Sequence, residues 1–193
     1  MNDSKNFRII NNKEKKIIED SLLKYSAKFP SALKDLEYQF FILLNDISSN
    51  SKFPLIYLVP TTLTNTLNIL NPEIKIISSG IYFGFIKKNN FYLSIEGAEF
   101  LHTRNSFSKH HYVKVNKQGE KSILYGNNIN KEFIIEISNG LKKDDFLLIL
   151  NQSNELIAIA HSKVNYKTFQ NLNPKDMIAL NLVDKGYYLR KKQ

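Results

Sequence analysis

Apolar residues first recur at helical spacing near the start of the chain, at Ile17, Ile18, Leu22, Tyr25 and Phe29. With Asn11 or Asn12 as the cap, the pattern predicts a helix through Lys28 that Pro30 stops. The pattern then shortens to strand length. Tyr38–Leu44 and Leu55–Val59 are continuous apolar runs, the second bounded by Pro54 and Pro60. Thr61 opens a short helix to about Leu70, with Leu63, Leu67 and Leu70 on one face and Asn71-Pro72 as its end. Lys75–Lys88 reads as a long strand broken at Ser78-Ser79-Gly80. Asn89-Asn90 forms a tight turn into Phe91–Ile95, which makes a hairpin, and Glu96–Leu101 closes the region as a helical turn.

The stretch His102–His111 is polar, with Phe107 its only large apolar residue, and reads as a linker. It separates an N-terminal domain of residues 1 to 105 from a second domain of residues 110 to 193. In the second, Tyr112–Val115, Phe133–Ile137, Phe146–Leu150, Leu156–Ala160 and Met177–Leu182 are strand candidates, and a short helix fits between Asn165 and Leu172. Short strands with a turn every ten residues or so predict a small barrel or half-barrel. The fold class is therefore α+β, a sandwich-like α/β domain followed by a small β-barrel.

At 193 residues the chain can support two small cores, and its 42% hydrophobic content favours folding throughout. Apolar runs stay far below the roughly 20 residues of a membrane helix. Met1–Lys5 carries no apolar leader, so a cytoplasmic protein without a membrane partner is expected. The absence of cysteine removes disulfides, thiolate nucleophiles and cysteine zinc sites. No two glycines are separated by a single residue, so neither a dinucleotide fingerprint nor a phosphate loop can be written. His102, His110, His111 and His161 lack a metal-ligand spacing. The expectation is no catalytic activity, no cofactor and no metal.

The formal charge is +9, from 27 basic and 18 acidic residues, which favours polyanionic partners. Only three of the basic residues are arginine, so part of the excess is a solvated lysine surface. Two basic clusters contain aromatic rings. Lys163, Tyr166 and Lys167 follow the Leu156–Ala160 strand, with Lys175 in the next turn, and a helix would project Lys163 and Lys167 from one face. Lys185 and Arg190–Lys192 enclose Tyr187 and Tyr188. Lysines that hold phosphates beside a ring that stacks on a base make the chemistry of single-stranded RNA recognition. A solvated helix face and a charged tail is the competing reading.

The segment Lys117–Asn130 is the most distinctive. Gly119 reads as a turn, and Leu124-Tyr125-Gly126-Asn127 as a second turn packed down by Ile123-Leu124. Three blocks in order, Ser78-x-Gly80-x-x-Phe83-Gly84, then Gly119-Glu120 leading to Leu124-Tyr125-Gly126-Asn127, then Asp184-x-Gly186-x-Tyr188-x-Arg190, resemble the archaeal-type Nip-seven ribosome-biogenesis factors. The resemblance covers about Ser78 to Arg190. It implies a C-terminal PUA domain behind an N-terminal pre-PUA domain. It further implies a non-catalytic RNA-binding factor in precursor-rRNA processing and large-subunit assembly, with other assembly proteins as partners and a nucleolar site in a eukaryotic source. An RNA-targeting subunit of a modifying enzyme and a translation-associated adaptor remain alternatives. RNA contact would fall on Lys163, Tyr166, Lys167, Lys175, Lys185 and Arg190. One departure is that the family's Gly-x-Gly before the PUA helix is replaced here by Leu156-Ile157-Ala158-Ile159-Ala160. Gly80 and Gly84 suit a bulged strand packed closely on a helix.

Overall fold

The computed structural model describes residues 6–24, 37–44, 52–70, 74, 76–107 and 111–190. The chain divides into two compact units, Met1–Ser106 and Phe107–Gln193.

Unit 1 is built on an antiparallel sheet of five strands, β1 (Phe7–Ile9), β2 (Tyr38–Leu43), β3 (Leu55–Pro60), β4 (Ile81–Lys87) and β5 (Asn90–Leu93), paired in that order. Helix α1 (Asn12–Leu23) follows β1, α2 (Thr61–Ile69) follows β3, and α3 (Ile95–Thr103) follows β5. The expected Asn cap is Asn11. Its side chain accepts from the Glu14 N–H, and the Glu14 carboxylate accepts from the Asn11 N–H. This reciprocal box satisfies two backbone donors that the first helical turn leaves open. Arg8 on β1 donates two further hydrogen bonds to the Glu14 carboxylate, at 2.8 and 3.0 Å, and so ties strand to helix. Helix α1 ends at Leu23; the expected extension through Lys28 lies outside the described residues.

The hairpin forms one residue earlier than expected. Lys88 and Asn89, not Asn89-Asn90, occupy the turn, with φ of 49° and 58°. Two left-handed residues in succession match the right-handed twist of the flanking strands. Strand β4 begins at Ile81, so the described residues from Ile76 to Ser79 are not strand. The Gly80–Gly84 block lies beside a bulge as read, but its glycines approach strands rather than a helix: a Cβ on Gly80 would fall 2.1 Å from the Leu58 carbonyl and one on Gly84 2.1 Å from the Tyr92 carbonyl. The register of β3 on β4 shifts between Ile56 and Tyr57. A Cβ on Gly97 of α3 would lie 2.6 Å from the Phe83 carbonyl, so glycine is what lets helix and bulged strand meet. The helical turn expected over Glu96–Leu101 is longer. Helix α3 is capped by Ser94 and runs over His102 and Thr103, the first residues of the expected linker. It ends on Asn105 at φ 53°, with the Ser106 N–H on the Leu101 carbonyl and the Asn105 N–H on the His102 carbonyl. This is a Schellman stop, with asparagine in the left-handed position.

Unit 2 holds strands β6 (Tyr112–Val115), β7 (Ile129–Asn130), β8 (Ile134–Ile137), β9 (Phe146–Leu150), β10 (Leu156–Ser162) and β11 (Met177–Asp184). They form one sheet in the order β7-β11-β10-β9-β6-β8, with β6 and β9 parallel and every other pair antiparallel. Each antiparallel pair carries a register shift, and such bulges bend a sheet toward closure. The α-helices α4 (Lys117–Leu124), α5 (Tyr166–Phe169) and α6 (Tyr187–Arg190) accompany it, with a 3-10 turn at Lys131–Phe133. The core joins Val113, Ile123, Ile129, Phe133, Leu147, Ile149, Ile157 and Ala179. All of Leu156–Ala160 is buried, so these side chains are spent on packing.

The Arg8–Glu14 contact gives a pH signature. Burial raises the Glu14 pKa, but the hydrogen bond from Arg8, the Asn11 N–H and the Arg8 charge outweigh it, and the net shift is below the ordinary value of 4.5. A depressed carboxylate stabilises the fold above its unfolded pKa, and that contribution is lost as pH falls through the folded pKa. Replacing Glu14 by Gln removes the charge that pairs with Arg8 and should cost about 0.2–1 kcal/mol at pH 7. The difference from wild type should shrink as pH falls below 4.5 and vanish once pH lies below the depressed folded pKa. Urea melts at pH 7 and at low pH check this; a difference that persists in acid contradicts it.

Candidate nucleic-acid interface

The distinctive Lys117–Asn130 segment is a helix and its stop, not two turns. Asn116 caps α4 by accepting from the Gly119 N–H at 2.8 Å. Gly119 sits inside the helix because a Cβ there would come within 2.5 Å of the Phe133 Cβ. Its role is close packing, which the sequence shows no differently from a turn. The stop is Gly126, at φ 91°. The Asn127 N–H returns to the Ser122 carbonyl and the Gly126 N–H to the Ile123 carbonyl, a second Schellman motif.

Two of the three motif blocks meet here. Arg190 of α6 forms a bidentate pair with Asp184, at 2.9 and 3.0 Å, and also donates to the Leu124 carbonyl at the end of α4. Asp184 is buried at 3% exposure. The hydrogen bonds from Arg190 compensate that burial and hold the guanidinium pKa above its ordinary value, against desolvation that would lower it. Glycines make the approach possible. A Cβ on Gly186 would fall 1.9 Å from the Leu124 carbonyl oxygen, and one on Gly126 would lie 3.2 Å from the guanidinium. Asn181 adds a second tie, donating to the Ile123 and Asn127 carbonyls and to Asp184.

This clasp shapes a groove between α4 and α6, about 520 Å³ in volume. Leu124 and Leu189 give it apolar walls, and Lys117, Lys121 and Lys185 stand around it beside Tyr125. Tyr125 is 66% exposed and Leu189 77%. Glu120, the acidic member of the lining, accepts from Asn151, which also binds Glu155. The arrangement offers a ring face and three cations around a hydrophobic floor.

The sequence-predicted residues divide. Lys185 and Arg190 reach the groove, Lys185 on its rim and Arg190 as a wall already engaged by Asp184. Lys163 and Lys167 do not share a helix face, because α5 is a single turn that starts at Tyr166. Lys163 precedes it, with its N–H on the Ile178 carbonyl at 2.7 Å. Instead of the expected span to Leu172, the chain after α5 is held by Lys131, which donates to the Gln170 and Leu172 carbonyls. Tyr166 packs against the barrel core, which limits its ring as a stacking surface. Lys167 and Lys175 are exposed. Sequence reading missed Lys117, Lys121 and Tyr125. The i, i+4 spacing of the two lysines was the available signal, hidden by reading Gly119 as a turn.

Among the described residues no group of three His, Cys, Asp or Glu is placed to hold a metal ion, and no helix is long and apolar enough to cross a membrane. The clasp itself is testable. Gly186→Ala should destabilise unit 2 by about 1–3 kcal/mol, since the added methyl cannot coexist with the Leu124 carbonyl. Thermal unfolding checks this, and an unchanged melting temperature contradicts it.

Comparison with known proteins agrees with this architecture. Residues 7–95 match the NIP7/UPF0113 pre-PUA domain and residues 111–193 the UPF0113 PUA domain. A UPF0113 protein of Archaeoglobus fulgidus is 27% identical over 184 residues, covering 95% of this chain and 94% of that one. Among solved structures, a conserved PUA domain protein from Thermoplasma acidophilum superposes with a TM-score of 0.63 at 13% identity, covering 96% of this chain and 98% of that chain. A PUA domain protein from Aeropyrum pernix gives 0.62 at 12% identity, with 96% and 90% covered. These two likenesses show a shared fold, in which unit 2 is a PUA-type barrel behind a mixed α/β domain. With both halves matched in order and the relative aligned almost end to end, the chain belongs to the NIP7/UPF0113 family.

Proposed function

We propose that this protein is a non-catalytic RNA-binding factor of ribosome assembly, which holds a single-stranded segment of precursor rRNA during large-subunit maturation. The observation that carries the RNA reading is the α4–α6 groove, where Lys117, Lys121 and Lys185 surround an exposed Tyr125. Lysines neutralise phosphates while a ring face accepts any base, a combination suited to unpaired RNA. Lys163, Lys167 and Lys175 are proposed as outer phosphate contacts, with Arg190 acting through the shape of the groove. Family membership supports the assembly role, and other assembly factors are the protein partners this reading entails. A cytoplasmic location follows from the same reading.

The test compares double variants in binding to a fluorescent single-stranded RNA across a salt series. Lys117→Ala with Lys121→Ala should weaken binding and lower the salt slope by roughly 0.7 for each phosphate that is no longer neutralised. Lys163→Ala with Lys167→Ala should weaken it less. Lys13→Ala with Lys16→Ala, exposed on α1, is the charge-matched control and should change little. Equal losses in all three pairs would mean diffuse attraction to a basic protein and would end the specific reading.

A further inference from the structure

Unit 1 carries an aromatic ladder that the groove does not use. Phe53, Phe85 and Tyr92 stack in sequence. The Phe53 and Phe85 centroids are 5.6 Å apart with planes at 24°, and those of Phe85 and Tyr92 are 5.1 Å apart at 10°. The sheet register explains the row. Leu55 of β3 faces Phe85 of β4, which faces Tyr92 of β5, so these side chains share one face. Helices α1 and α3 pack against β5 and β4, while α2 packs against β2 and β3. Strand β5 is the last in the sheet, so Tyr92 is the terminal ring on the terminal strand. It is 44% exposed, where a core tyrosine would be covered.

Lysines flank the ladder along the chain. Among the described residues from Lys52 to Ser94, the charged side chains are Lys52, Lys87 and Lys88, all exposed. The Lys87 Nζ lies 4.9 Å from the Phe53 ring centroid. Lys88 is in the β4–β5 turn, next to the strand that bears Tyr92. Burial first and the nearby Glu96 carboxylate second raise the pKa of Tyr57, two residues along β3 from Leu55.

We propose that Tyr92 is a second RNA contact, a stacking platform for one unpaired base, with Lys87 and Lys88 placed to meet the flanking phosphates. The proposal rests on the RNA-binding reading and extends it to unit 1. A base laid on the outer face of Tyr92 continues a stack that the protein has already ordered, so little side-chain freedom remains to be lost on binding. Stacking needs no base-specific hydrogen bond, so this contact adds affinity without sequence preference. An apolar docking surface for a protein would need hydrophobic area at this position but not a ring face, and the two separate experimentally.

The experiment uses the full chain and a single-stranded RNA that carries 2-aminopurine, whose fluorescence is quenched on stacking against an aromatic ring. Wild type should bind and quench. Tyr92→Phe keeps the face and should match it. Tyr92→Leu keeps apolar area but not the face, and should lose the quench that depends on unit 1 and weaken binding by roughly 5- to 150-fold. Circular dichroism melts of both variants establish that they fold. If Tyr92→Leu binds and quenches as wild type does, the platform is overturned, and the face is left as a docking surface of another kind. If Tyr92→Leu is unaffected while the Lys117 and Lys121 variant weakens binding, the groove stands and this inference falls alone. If only Tyr92→Leu weakens binding, the platform stands and the groove reading falls.

Discussion

The bidentate pair of Arg190 with the buried Asp184, extended to the Leu124 carbonyl, is the contact on which the candidate interface depends. A carboxylate at 3% exposure is costly unless its oxygens are occupied, and Arg190 and Asn181 occupy them. Satisfying Asp184 draws α6 against the end of α4. That in turn sets the width of the groove and leaves Tyr125 and Leu189 facing outward. The two glycines at the crossing are consequences of this geometry, because the guanidinium and the Leu124 carbonyl fill the space where side chains would stand. The clasp makes one physical object of two motif blocks about 60 residues apart in the chain.

Electrostatics then distinguishes cations by what they are already doing. Arg190 and Arg8 are held in ion pairs, and Lys131 is held by two carbonyls. Lys117 and Lys121 project from the helix surface, and Lys163 sits half-buried beside a backbone hydrogen bond. The net charge of +9 is therefore a poor guide to binding. A basic residue that is structurally engaged shapes the site, and one that is exposed can neutralise a phosphate. The same distinction applies to rings. Tyr166 is packed against the core, whereas Tyr92 and Tyr125 keep an open face.

Much of the fold was legible because its elements are locally encoded. The cap at Asn11, Pro60 ahead of Thr61 and the continuous apolar strands of both units all appear where the pattern put them. The costliest failure has a simple cause. Gly119 is a glycine of close approach inside a helix, and sequence does not separate it from a glycine of a turn, because the deciding neighbour, Phe133, is remote in the chain. That ambiguity hid α4 and with it Lys117, Lys121 and Tyr125. The separation of Lys163 from Lys167 has another origin. Two residues four positions apart share a face only if the helix exists, and here the Lys163 N–H is held by the Ile178 carbonyl before any helix begins.

Photocrosslinking tests the central claim, that unpaired RNA lies in the groove between α4 and α6. A single-stranded RNA containing 4-thiouridine would be bound to the full protein, irradiated, and the modified peptides identified by mass spectrometry. The account predicts a saturable adduct on Tyr125 or its neighbours in α4 and α6, suppressed by unlabelled competitor RNA. Adducts scattered over surface lysines without saturation, or absent from both helices, would contradict it.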